Sequence, residues 1–158
     1  MTLPDEFNEP VDEILAVYNA YHEARDVAWG RPEVDPDYAP FYEFVTESQA
    51  KLEREAIEKF AEDKQIVVDP GFTEMSHSVR FVGAFNPEKT EGNTVTLIDC
   101  FVDATEVRNL DEEVLSDEVV TFVLAVEMKV VDGSWKVAAK DVKERYEGVS
   151  ECEEYANI

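Results

Sequence analysis

The chain has 158 residues, the size of one ordinary domain, and its 44% hydrophobic and 11% aromatic content can bury a core without metals or several disulfides. Its 37 acidic residues against 14 basic ones give a formal charge of −23, and such a surface repels the phosphate backbones and anionic lipid heads that clustered Lys and Arg would hold. Nucleic acid is thereby excluded as a partner, and membrane insertion is excluded because no run approaches the roughly 20 apolar residues that a spanning helix needs.

The excess of carboxylates reads as solubility and self-repulsion. Adaptation to high salt and surface redesign of an engineered variant both produce this acidity over intact hydrophobic patterning. No EF-hand spacing and no HExxH motif turns it into a cation site, so no metal and no cofactor is expected. The start, MTLPDEFNEP, has neither a basic nor an apolar leader region. Residues 1–9 are expected to be poorly ordered, 10–149 to form a single domain and 150–158 to form a tail.

In PVDEILAVYNAYHEARDVAWG, Val11, Ile14, Leu15, Tyr18, Tyr21, Ala24 and Ala28 recur every three or four residues. That spacing paints one apolar stripe on a helix of about five turns, punctuated by Pro10 and Gly30. RPEVDPDYAP is a turn-rich connector. A short helix is expected near 38–45 and a longer one over 47–64, with Leu52, Ala56, Ile57, Phe60 and Ala61 at helical spacing. Thr46 to Gln49 fits a capping box that opens the longer helix.

After Lys64 the apolar period changes from 3.6 to 2. QIVVDPGF, TEMSHSVRFVGAF, NTVTLIDCFVDATEV, DEVVTFVLAVEMKVV and SWKVAAKDVKERY read as five strands. Asp132-Gly133 makes the last connection a tight hairpin, and Gly83 marks a place where the sheet bends. In the fourth strand Val120, Phe122, Leu124, Val126, Met128 and Val130 share one face, opposite Thr121, Glu127 and Lys129. The expected fold class is α+β: three N-terminal helices covering one face of a strongly curved antiparallel meander, the other face mostly wet.

This order of elements, closing on VVDGSWKVAAKDV, resembles the nuclear transport factor 2-like (NTF2-like) fold shared by ketosteroid isomerase and SnoaL-type cyclases. Asp99-Cys100, the run Asp132-Gly133-Ser134-Trp135-Lys136-Val137 and a late Cys152 bring it nearest to secreted or lipid-anchored actinobacterial members. The resemblance implies a cone whose open end holds a small molecule. It also implies a Cys100 to Cys152 disulfide in an oxidising compartment; the alternative is two unrelated thiols in a cytoplasmic protein. Two cysteines alone lack the companion ligands of a zinc site.

Pocket candidates on this pattern are Tyr18 and Tyr21 on the first helix, His77 on the second strand, and Asp99, Asp103 and Asp141 on later strands. His77 alternates with Met75, Val79 and Phe81, which turns it inward, although a lone histidine on an apolar face is more often a satisfied core or rim residue. His22 reads as a surface residue. Tyrosines on a core stripe usually contribute buried area and find one hydroxyl partner. The three aspartates are either carboxylates of raised pKa or solvated surface charges.

No G-x-S-x-G, P-loop or dinucleotide fingerprint is present, and the isomerase pattern of one Tyr with two Asp residues does not map residue by residue, so no catalytic residue is assigned. Two functions fit. One is a non-catalytic module of an exported or envelope protein that binds a small apolar ligand or a protein partner, with homodimerisation through the sheet face. The other is an isomerase, dehydratase or cyclase that moves a proton next to a carbonyl with Asp or His.

Overall fold

The computed structural model describes residues 8–30, 39–68, 77–83 and 85–148, with the side chains of residues 8, 39, 77 and 78 excepted. The chain is α+β. Helix α1 (Asn8–Gly30) is followed by a single turn, α2 (Ala39–Tyr42), and by α3 (Glu47–Glu62). Among the described residues seven strands come after them: β1 (Gln65–Val68), β2 (His77–Val82), β3 (Thr94–Asp103), β4 (Glu106–Asn109), β5 (Val114–Ser116), β6 (Val120–Val131) and β7 (Ser134–Glu147).

These strands do not form one meander. They make a four-stranded antiparallel sheet of order β2-β3-β6-β7 and a three-stranded one of order β1-β4-β5. The run expected as one strand over 93–107 breaks after Asp103, because Asp103 Oδ1 accepts from the amide and the hydroxyl of Thr105 at 3.0 and 2.6 Å. Such a local side-chain loop takes the backbone out of the ladder, and the chain resumes as β4 in the second sheet. Gly83 closes β2 in the left-handed region (φ +75) and does not bend a strand interior.

The α1 stripe buries Ile14, Tyr18, Tyr21, Ala24 and Ala28 against Leu97, Val126, Met128, Trp135 and Val137 of the large sheet. Helix α3 turns differently from the expected stripe. Its buried residues are Gln49, Glu53 and Ile57, while Leu52 is 63% exposed. A carboxylate faces inward because Tyr21 donates its hydroxyl to it, as described below.

Thr46 Oγ1 accepts from the Gln49 amide as an N-cap should. The reciprocal half of the capping box is replaced by a strand contact: the Thr46 amide donates to Val137 O at 3.0 Å and the Val137 amide to Phe44 O at 2.8 Å. The α2–α3 junction is thus fastened to β7. The D-G-x-W-x-V segment serves the core, since Trp135 and Val137 are both buried, and Asp132 and Gly133 take φ of +53 and +80, as the hairpin turn demands.

The reverse face of the large sheet was expected to be wet, yet it is dry around Cys100. Cys100 pairs with Val123 and Val102 with Thr121, and all four are buried. The Thr121 hydroxyl donates to Gly148 O at 2.9 Å. No helix among the described residues is long and apolar enough to cross a membrane.

Candidate functional site

One face of β3 carries Val95, Leu97, Asp99, Phe101 and Asp103 in alternation, running from the core outward. Val95, Leu97 and Asp99 are buried, and Phe101 and Asp103 are half-buried. Along α1, Tyr18, His22, Arg25 and Trp29 climb the same direction at helical spacing. Where the outer ends of these two series meet α3 and the small sheet, a cavity of about 300 Å³ opens. Trp29, Phe60, Val67, Phe101 and Val107 form its apolar walls, and His22, Arg25, Asp26, Asp103 and Thr105 its polar groups. Trp29 and Phe60 meet edge to face at 4.8 Å, and the Arg25 guanidinium lies over Trp29, 5.3 Å from the ring centroid.

Beneath the cavity lie two polar pairs. Tyr18 donates its hydroxyl to Asp99 Oδ2 at 2.5 Å, and His22 Nε2 stands 3.8 Å from the same oxygen. Tyr21 donates to Glu53 Oε1 at 2.5 Å, and Lys140 Nζ donates to the Tyr21 oxygen at 3.2 Å. Arg25 Nε is 3.9 Å from Glu53 Oε1. Tyr18, Tyr21 and Asp99 are completely inaccessible.

Burial is the largest cause of the tyrosine shifts. It pushes both hydroxyls well above their ordinary value, and the Asp99 and Glu53 carboxylates add to the rise. The Lys140 ammonium is pulled down to about 8, first by burial and then by the nearby Arg25 charge, against the opposing pull of Glu53 and Asp99. These hydroxyls are poor acids, so the tyrosines hold their carboxylates in place and do not release protons at neutral pH.

The sequence-derived candidates separate. Tyr18, Tyr21 and Asp99 come together, but in the closed interior under the cavity, and Asp99 is not on the outer sheet face. Asp103 reaches the cavity with its Oδ1 occupied by Thr105. Asp141 does not belong to the site: it is exposed on the far half of β7 and pairs with Lys143 at 2.7 Å. The side chain of His77 lies outside the described residues.

Sequence reasoning read His22 as a surface residue, whereas it borders the cavity 3.8 Å from Asp99, and it passed over Arg25, Glu53 and Lys140. Residues 22 and 25 follow Tyr18 at i+4 and i+7, the spacing that places them on one face with it. Glu53 and Lys140 carried no comparable signal. Among the described residues, no group of three or more His, Cys, Asp or Glu is placed to hold a metal ion. Cys100 is buried on β3; Cys152 lies outside the described residues, so the expected pairing of the two is not described.

A second concavity, about 1020 Å³, runs between α3 and the β6–β7 hairpin. Its lining mixes Lys51, Arg54, Lys129 and Lys136 with Glu55 and Glu127, so no single ligand charge is favoured there.

No protein-family model matches this sequence, and no curated protein matches it. Among solved structures, the intermembrane space region of the chloroplast protein ARC6 is similar, with a TM-score of 0.54 and 12% identity over 90% of this chain and 98% of that one. At that identity the likeness concerns the fold alone, and the fold to which it applies is an α+β domain with an N-terminal helix and antiparallel sheets.

Proposed function

We propose that this chain is an NTF2-like domain of an exported or envelope protein that binds a small ligand in the cavity between α1, α3 and the β3–β4 junction, without transforming it. The observation that carries this reading is an aromatic-walled cavity that the hydrogen-bonded Tyr18–Asp99 pair does not line. The aromatic cavity of about 300 Å³ is the right kind of place for a ring. The Tyr18–Asp99 pair is sealed beneath it, and Asp103 is tied to Thr105. A bridge from Cys100 to Cys152 belongs to the same proposal and would be worth roughly 4 kcal/mol for a loop of this length; it fits an oxidising compartment.

The test is native mass spectrometry of the purified chain, followed by ligand-observed NMR with a library of one- and two-ring compounds. Binders that vanish in Val107→Trp, which fills the cavity, support the reading. A library without binders, or binders indifferent to Val107→Trp, would overturn it.

A second reading draws on His22, which borders the cavity and stands 3.8 Å from Asp99. In that arrangement His22 exchanges a proton with a ligand carbon next to a carbonyl while Asp99 steadies the imidazolium. Deuterium uptake at that carbon in D₂O, lost in His22→Gln, would establish an enzyme; no uptake leaves the binding module.

A further inference from the structure

Arg25 differs from every other group on the cavity wall. Among the described lining residues it alone is always cationic, and its side chain is only one-third exposed. Among the described residues its ion pair, with Glu53, is a long one. Glu53 Oε1 is 3.9 Å from Arg25 Nε and already accepts the Tyr21 hydroxyl, beside which the guanidinium also stands. Arg25 Nε makes no hydrogen bond at all. A partly desolvated guanidinium without a fork-to-fork partner is an unfilled acceptor site for a planar anion, because its donors are spaced for two oxygens of one carboxylate.

The surroundings narrow the anion further. The Arg25 guanidinium carbon lies over the Trp29 ring, 5.3 Å from its centroid, and Phe60 and Phe101 supply further flat apolar surface. About 300 Å³ is roughly ten water volumes, enough for one or two fused rings. Asp26 and Asp103 at the wall, and a chain charge of −23, set a limit of one negative charge, since a phosphate or dicarboxylate meets more repulsion than one guanidinium offsets.

We propose that the cavity takes a small ring-bearing monocarboxylate, its ring among Trp29, Phe60 and Phe101 and its carboxylate on the Arg25 guanidinium. This rests on the ligand-binding reading above and names the ligand class of that site.

Isothermal titration with 2-naphthoate and with its neutral isostere 2-naphthamide separates the two ideas. The acid binds at least tenfold more tightly than the amide to the parent chain. Arg25→Met removes that preference, the acid losing at least tenfold more affinity than the amide, and Arg25→Lys keeps only part of it, the charge without the fork. Far-UV circular dichroism verifies that each variant is folded; should Arg25→Met fail to fold, Arg25→Lys alone decides by whether the preference falls. Equal affinities for acid and amide in the parent, or a preference that survives Arg25→Met or Arg25→Lys, would sink the carboxylate assignment and leave the cavity a binding site. No binding of either compound refutes the carboxylate assignment, and an empty ring library then refutes the ligand-binding reading with it.

Discussion

Tyr18 and Asp99, 81 residues apart in the chain, share a 2.5 Å hydrogen bond in a part of the interior that water does not reach. The contact joins the centre of α1 to the centre of β3, and it gives a buried carboxylate a strong donor. Removing that donor leaves the carboxylate under-solvated, which is expensive in a closed interior. Tyr18→Phe is therefore expected to cost about 2–4 kcal/mol of stability by urea unfolding. Asp99→Asn in the Tyr18→Phe background recovers part of that loss, because no buried charge is then left stranded; a double variant weaker than the sum of the two single changes would contradict the pairing.

The Lys140, Tyr21 and Tyr18 shifts give stability a maximum in mildly alkaline solution. The folded Lys140 has its pKa lowered to about 8 from 10.5, so between those values the unfolded chain binds more protons and stability rises with pH. Below about 8 both states are protonated and the cost of the buried ammonium is fully present. Above about 10 the order reverses. Tyr18 and Tyr21, raised in the folded state, keep protons that the unfolded chain releases, and stability falls. Unfolding curves from pH 7 to 11 should trace this rise and fall, and Lys140→Met should abolish the rise alone.

Neighbouring residues on α3 should respond in opposite ways to what their hydrophobicity implies. Leu52 is 63% exposed and Glu53 is buried against Tyr21. Leu52→Lys is expected to change stability by less than about 0.5 kcal/mol, whereas Glu53→Ala costs about 2 kcal/mol by stranding the Tyr21 hydroxyl and the Lys140 ammonium. Thermal unfolding of the two variants checks the contrast; a Leu52→Lys loss larger than the Glu53→Ala loss would mean that α3 is rotated from the orientation described.

At the β6–β7 turn, a Cβ on Gly133 would have open space around it, yet φ is +80. Gly133→Ala therefore tests backbone conformation without a clash. It is expected to lower stability by about 1 kcal/mol, and Gly133→Asn, which tolerates that region better, should lose less. Equal losses would show that φ is not the cause.

The α+β class, both long helices and most strand segments follow directly from apolar periodicity, which is a local property, whereas β5, three exposed residues long, is too short to show a period. Sheet membership does not, because it depends on which strand lies beside which. The period-2 pattern passes unbroken through Asp103 and Thr105, and only their hydrogen bonding reveals that β3 ends there. Glu53 was illegible for a related reason: an acidic residue on a highly charged helix is ordinarily solvated, and its inward turn depends on Tyr21, 32 residues earlier. Asp99 was readable as either buried or exposed, since alternation fixes the face it shares with Leu97 but not the partner that makes burial tolerable. Asp141 misled because it continues a strand whose far half leaves the core behind.

The change of sheet at Ala104 and Thr105 has a consequence for how this domain can diversify. The wall built by Phe101 and the one built by Val107 belong to different sheets, joined at the cavity by only a few residues. Substitution at Val107, which pairs only within the small sheet, reshapes the mouth without touching the strand pairs that enclose Tyr18 and Asp99. On the ligand-binding reading proposed above, the cavity wall and the interior are thereby encoded in nearly separate parts of one chain, so the wall can change while the interior is kept.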